Sequence, residues 1–297
     1  MNLGIWDAAA VFVKTALYAA TLGAAGGVFF LGYSRSLLEP PDRLAIARPL
    51  GILVAAAIAA SAARVLLIAA SLSGDAAGML DARLLAMVWH GGEGRAAALR
   101  TGGLLLAIPA IVRRGRPGWL AIVGAAVAAT SFAWVGHVRA AAQAAAGVRA
   151  AAPLLLSVHV LAVAFWLGAL GPLAIEARRR APSELGAVAV RFGRIAVAVV
   201  GALLAAGAAV LWILLGSVSE LWSSDYGRIA CAKIALVACL LALAAWNKLR
   251  LVPRIVGGDP LAVRSLRRSI GAEMLAAVLI LLTTAALTTL AGPQGLS

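Results

Sequence analysis

The chain has 297 residues, 63% of them hydrophobic, with a mean hydropathy of +0.98 and a formal net charge of +14. A soluble domain averages about 45–50% apolar residues, so this chain lacks the polar surface to cover itself in water, and a soluble globular fold is excluded. The basic residues form no single stripe or tail but recur in alternate gaps between apolar runs, which excludes a nucleic-acid-binding surface and matches the pattern imposed by membrane topology.

The first apolar run, 8–32, has no basic leader or small-residue cleavage site, and Asp7 precedes it. It reads as a retained transmembrane helix rather than a signal peptide. Runs of about 20 apolar residues suffice to cross a bilayer as a helix, and further ones fall near 47–72, 94–112, 117–138, 152–175, 192–217, 227–249 and 269–291. A short amphipathic piece near 79–90 is expected at the surface before the third span. The predicted fold class is all-α, a polytopic membrane bundle of about eight transmembrane helices embedded in lipid.

Loop charges orient these spans. Arg35, Arg43 and Arg48 follow the first helix, and Arg113, Arg114 and Arg116 follow the third. Arg178, Arg179, Arg180 and Arg191 follow the fifth, and Lys248, Arg250, Arg254, Arg264, Arg267 and Arg268 follow the seventh. The remaining gaps carry Asp75, Asp81, Glu93, Glu220 and Asp225. Basic loops face the cytoplasm, which places both termini on the outer side.

A parallel repeat of four helices is also legible, with halves at 1–145 and 146–297. Lys14 is followed by Leu22-Gly23-Ala24 and Gly26, and His159 at the same spacing by Leu167-Gly168-Ala169 and Gly171. Trp89, Gly94, Arg95 and Arg100 align with Trp222, Gly227, Arg228 and Lys233. Some transporters are built from such repeats, although similarity among Ala-, Leu- and Gly-rich helices also arises from composition alone.

The three histidines, His90, His137 and His159, all fall toward the outer side of this topology. His159 lies about two turns into the fifth helix, where a polar ring is costly unless hydrogen-bonded or ligated. Imidazole suits Cu(II) and Zn(II), and thioether suits Cu(I). Met79 and Met87 lie near His90, and Met87 and His90, three residues apart, share a helix face. Methionine is equally ordinary core filler. Met1 could reach the same region. Cys231 and Cys239, within one apolar run, are read as packing residues. Lys14, Arg64, Arg100 and Lys233 occupy the outer halves of their helices. They either snorkel to headgroups or form an electrostatic frame that pairs with Asp81, Glu93, Glu220 or Asp225 or holds an anionic group. Such a frame opposes a simple open copper pore. Glu273 pairs with Arg267 or Arg268, or serves at a cytoplasmic exit. Trp166 follows His159 by seven residues on one face, and Gly168, Gly171 and Pro172 are expected to interrupt the inner half of that helix. Pro109 is expected to do the same in the third.

Several of these residues resemble a known family. Ser131-Phe132-Ala133-Trp134-Val135-Gly136-His137 resembles a helix end in CopD-type (CopD/PcoD-like) copper resistance proteins. The run from His159 to Leu173 resembles that family's HxxAxxxWLGxLxPL helix. Tyr226-Gly227-Arg228 with Lys233, Asn247-Lys248, Pro253, Leu266–Ser269 with Glu273, and Gly292-Pro293 resemble its later segments. The resemblance implies a bacterial inner-membrane protein that passes copper, as Cu(I) or Cu(II), from periplasm to cytoplasm, often beside a periplasmic copper-binding partner. His137, His159 and Trp166 carry over by that resemblance, with Lys233 and Glu273.

The leading expectation is a non-enzymatic copper transport or handling protein whose outer histidines receive the ion. A b-type haem electron-transfer protein is the alternative, because haem takes axial histidines. A copper-delivery assembly factor for a respiratory enzyme is a third reading. The sequence contains no nucleotide-binding motif and no nucleophile motif of the GxSxG type.

Overall fold

A computed structural model describes residues 4–135, 151–215 and 219–290, the side chains of Glu220 and Asp225 excepted. Among these residues the chain is predominantly helical, without strands. Helices α1 (Ile5–Tyr33) and α2 (Pro40–Ser73) form the first hairpin. A 3₁₀ turn, Ala76–Leu80, leads into the short α3 (Ala82–His90), followed by α4 (Gly92–Val112) and α5 (Trp119–Thr130), which ends in a 3₁₀ turn at Ser131–Trp134. Then come α6 (Ala152–Arg179), α7 (Pro182–Leu215), α8 (Asp225–Trp246) and α9 (Pro260–Leu290). Helix α8 continues through a π turn at Asn247–Leu251 and one more helical turn, Val252–Val256.

Among the described residues, seven helices are long and apolar enough to cross a membrane, and Trp119–Trp134 adds a shorter apolar eighth. The expected polytopic bundle is therefore present. The amphipathic segment near 79–90 is the 3₁₀ turn plus α3. Helix ends are set by local chemistry. Asp81 accepts hydrogen bonds from the amides of Arg83 (2.7 Å) and Leu84 (3.2 Å), and Ser224 accepts one from Gly227 (2.9 Å). Asp259 accepts from Leu261 (2.8 Å) and Ala262 (3.3 Å) at the start of α9, satisfying donors that a helix N-terminus otherwise leaves open. The Arg254 guanidinium and those amides hold the Asp259 carboxyl below its usual range.

Several helices run further at their basic ends than hydropathy alone indicates: α2 begins at Pro40 rather than 47, α7 at Pro182 rather than 192, and α9 at Pro260 rather than 269. Pro172 and Pro109 do not break α6 or α4. Both lie inside continuous helices, where packing against neighbours compensates for the missing backbone bond.

Helices α1 and α6 form the centre of the bundle. Helix α1 packs against α2, α5, α6 and α9, and α6 packs against α1, α5, α7 and α9. The two cross where glycines permit backbone contact. A Cβ at Gly168 would lie 2.5 Å from the Gly26 Cα and 2.7 Å from the Leu22 carbonyl oxygen. The principal core surrounds this crossing and includes Leu22, Phe30, Leu31, Leu170 and Leu173. Large apolar side chains such as Phe12, Ile52, Trp212 and Leu275 point outward, as helices immersed in lipid require.

Interhelical bonds fix which ends lie together. Lys14 Nζ donates to the Thr288 carbonyl at 3.1 Å, which joins the start of α1 to the end of α9. The start of α1 and the end of α9 therefore lie at the same face of the bundle. At the opposite face, Arg267 Nε donates to the Ala177 carbonyl at 2.7 Å and Arg180 pairs with Asp42.

Candidate functional site

The C-terminal half stacks three layers with a seven-residue period, which keeps each series on one helix face. The first contains His159 of α6 and Lys233 of α8, the second Trp166 and Leu240, and the third Asn247 with Glu273 of α9. His159 Nδ1 lies 3.1 Å from the Leu203 carbonyl oxygen of α7. A carbonyl only accepts, so Nδ1 carries the proton and the lone pair resides on Nε2. Gly207 makes this approach possible, because a Cβ there would lie 3.0 Å from the ring atoms Nδ1 and Cε1. Lys233 lies within electrostatic reach of the same ring.

Below this layer, Trp166 is 3% exposed and packs with Ala162, Leu203, Leu240 and Ile280. The apolar layer separates His159 from Glu273. Glu273, 3% exposed, accepts a hydrogen bond from Asn247 Nδ2. Its expected pairing with Arg267 or Arg268 does not form: Arg267 bonds the Ala177 carbonyl instead. Asn247 lies at the start of the π turn, whose altered register belongs to a feature common at functional positions.

The N-terminal half holds a different polar network. Arg100, 2% exposed, donates to Ser131 Oγ and Ser61 Oγ at 3.1 Å each and lies 4.3 Å above the Phe132 ring centroid. The Phe132 ring meets Tyr18 edge-on, with centroids 4.8 Å apart. Arg64 pairs with Glu93 at 3.5 Å, and Tyr18 Oη lies 3.5 Å from Thr288 Oγ1. Arg100 is therefore buried between helices rather than extended to the surface, and Lys14 is tied to a backbone carbonyl. Of the acids named as partners for this frame, Glu93 pairs with it. Asp81 instead caps α3, and the side chains of Glu220 and Asp225 are outside the description.

At the basic end, Arg180 bridges Asp42 (2.6 Å) and Glu176 (2.5 Å), and Arg179 reaches Asp42 at 3.4 Å. Burial opposes the Arg180 charge, but the hydrogen bond to Asp42 and the nearby carboxylates outweigh it and raise the Arg180 pKa. Neither carboxylate was singled out from sequence, although Glu176 lies four residues before Arg180 on one helix face.

The other sequence-derived residues are not gathered together. His137 lies outside the described residues, as does Met1. His90 is exposed at the end of α3, Met87 is 63% exposed on the same helix, and Met79 lies on the preceding 3₁₀ turn. Cys231 Sγ donates to the Leu221 carbonyl at 3.7 Å, and Cys239 is exposed. Among the described residues, no three His, Cys, Asp or Glu side chains gather as a metal-ligand set.

Two family models match the chain. The model for the copper resistance protein D-like N-terminal domain covers residues 5–148, and that for copper resistance protein D covers residues 186–287. Lys233 and Glu273 fall within the second interval, whereas His159 and Trp166 lie between the two. No curated protein and no solved structure matches the chain.

Proposed function

Since this chain belongs to the CopD-type copper resistance family, a group of copper-handling membrane proteins, we propose that it transports copper from periplasm to cytoplasm through the C-terminal half of the bundle. Copper is the cargo, as Cu(I) or Cu(II), and a periplasmic copper-binding protein delivers it at the face where α1 begins and α9 ends. In this reading the protein resides in the bacterial inner membrane with that face outward.

The observation that carries the proposal is the hydrogen bond between His159 Nδ1 and the Leu203 carbonyl. Metal-ligating histidines characteristically donate their other ring N–H to such an acceptor, which fixes the tautomer and the ring orientation. His159 receives copper through Nε2, with further ligands drawn from His137 and from the delivering partner. The exposed His90 and Met87, with the half-buried Met79, form an entry group rather than a closed site. Lys233 repels a bare cation near the ring, so transfer proceeds by ligand exchange with a bound ion instead of diffusion through an open pore. The Trp166 layer closes the path, and Glu273 with Asn247 provides the next polar station toward the basic end. Lys14, Arg64 and Arg100 serve as the structural frame of the N-terminal half.

The division into halves 1–145 and 146–297 follows from the same proposal. It is supported by the reciprocal packing of α1 and α6 and by the N-terminal family match ending at 148. Under the repeat, Lys14 occupies the position equivalent to His159, leaving one half with the ligand and the other with a fixed cation.

Bound copper and the visible spectrum of the purified protein test the proposal in wild type, His159→Ala, and His137→Ala combined with His159→Ala. Stoichiometric copper is expected in wild type, with affinity falling at least tenfold in His159→Ala, since losing even a partner that only orients a ligand costs about 10–100-fold. A Soret band abolished by the same substitutions would replace copper passage with the haem reading. Unchanged copper binding in both variants would remove these histidines from the site.

A further inference from the structure

The basic face carries a second built feature that copper passage does not use. A cavity of about 470 Å³ opens there between the α1–α2 and α4–α5 connections, lined by Arg35, Arg113, Arg116, Pro117 and Gly118. Three guanidiniums line it and no carboxylate does. Its walls are ordered by local structure. Arg114 and Gly115 adopt left-handed backbone conformations (φ 54° and 76°), and the Gly115 amide returns to the Ala110 carbonyl at 2.8 Å. A Cβ at Gly115 would lie 2.6 Å from the Arg43 carbonyl oxygen, so the turn is seated against α2. Gly118 precedes α5 without a side-chain cap, leaving the positive end of that helix at the cavity wall.

We propose that this cavity binds the phosphate headgroup of an anionic phospholipid. Guanidinium forks match phosphate oxygens, and basic pockets between transmembrane helices on the cytoplasmic side bind anionic headgroups. The apolar surroundings select a lipid over a free phosphate ion. Val112, 72% exposed, precedes Arg113, and Trp119, 70% exposed, follows Gly118. They flank the cavity in sequence and offer contact to acyl chains, and tryptophan is a residue type favoured at the membrane interface. The bound lipid would brace α1, α2, α4 and α5 at their basic ends.

Native mass spectrometry of the intact protein in detergent, titrated with phosphatidylglycerol, cardiolipin or phosphatidylcholine, tests the assignment. Wild type is compared with Arg35→Gln/Arg113→Gln/Arg116→Gln and with a charge-matched control, Arg250→Gln/Arg264→Gln/Arg268→Gln. All six arginines are exposed, so neither variant disturbs the core. The expected result is preferential retention of the anionic lipids by wild type and by the control. Retention should fall about a hundredfold in the cavity variant, the combined effect of three basic side chains near a headgroup. An equal loss in the control would reduce the effect to bulk charge. Displacement of the lipid by millimolar inorganic phosphate would assign the cavity to a free anion. Either result would overturn the proposal.

Discussion

Arg100 shows how a single polar side chain is accommodated within the bundle. Its guanidinium reaches Ser61 on α2 and Ser131 beyond α5 and covers the Phe132 ring. One side chain thereby joins three segments of the N-terminal half. Arg100→Ala would leave a cavity and two buried hydroxyls with fewer partners, while relieving the desolvation of one cation. The first effect is expected to dominate, because a guanidinium stacked on an aromatic face and bonded to both serines is well compensated. We expect a loss of about 2–4 kcal/mol, the range for large buried side chains truncated to alanine, seen as a lower thermal midpoint in detergent. Arg100→Lys should recover only part of it, since an ammonium cannot reproduce the planar fork. An unchanged midpoint in Arg100→Ala would mean that the network contributes no net stability.

At the scale of elements, the α1–α6 crossing depends on two glycines. Gly168→Ala would place a methyl carbon 2.5 Å from the Gly26 Cα and force the helices apart. A Cβ at Gly171, three residues on, meets nothing within 4 Å. Gly168→Ala should therefore destabilise by about 1–3 kcal/mol, as overpacking does, whereas Gly171→Ala should be neutral or stabilise by up to about 1 kcal/mol through helix propensity. Thermal unfolding of the pair checks this, and equal behaviour would remove the close approach as a determinant of packing. The contrast also marks what sequence could convey. Small residues at 168 and 171 announce a tight helix interface, but composition does not say which one meets α1. The seven-residue spacing of His159 and Trp166 placed them on one helix face. The pairing of Glu273 with Asn247 was not legible, because it joins two helices where a π turn shifts the register. Helix ends at basic loops were placed short for a related reason: hydropathy records where a segment leaves the apolar layer, whereas α7 continues as a helix back to Pro182.

For the whole molecule, orientation decides what the layered C-terminal half can do. The Lys14–Thr288 bond brings the start of α1 and the end of α9 to one face, and the basic connections gather at the other. That arrangement is internal to the bundle and is the same whichever way it sits in the membrane. The bias of Lys and Arg carries the proposed direction, because basic loops tend to remain cytoplasmic during insertion. Copper entering near His159 would then move inward past Trp166 toward Glu273, and the arginine-lined cavity would meet the cytoplasmic leaflet, whose surface potential is negative. Single cysteines test this in a background carrying Cys231→Ser and Cys239→Ser. Ser36→Cys lies exposed at the basic end, and Ala77→Cys lies exposed at the opposite one. A membrane-impermeant maleimide applied to intact spheroplasts should label Ala77→Cys alone, and Ser36→Cys should react only after lysis. The inverse pattern would turn His159 toward the cytoplasm. The same stack of His159, Trp166 and Glu273 would then describe a path out of the cell, and the fixed charges at the basic face would lie at its exit.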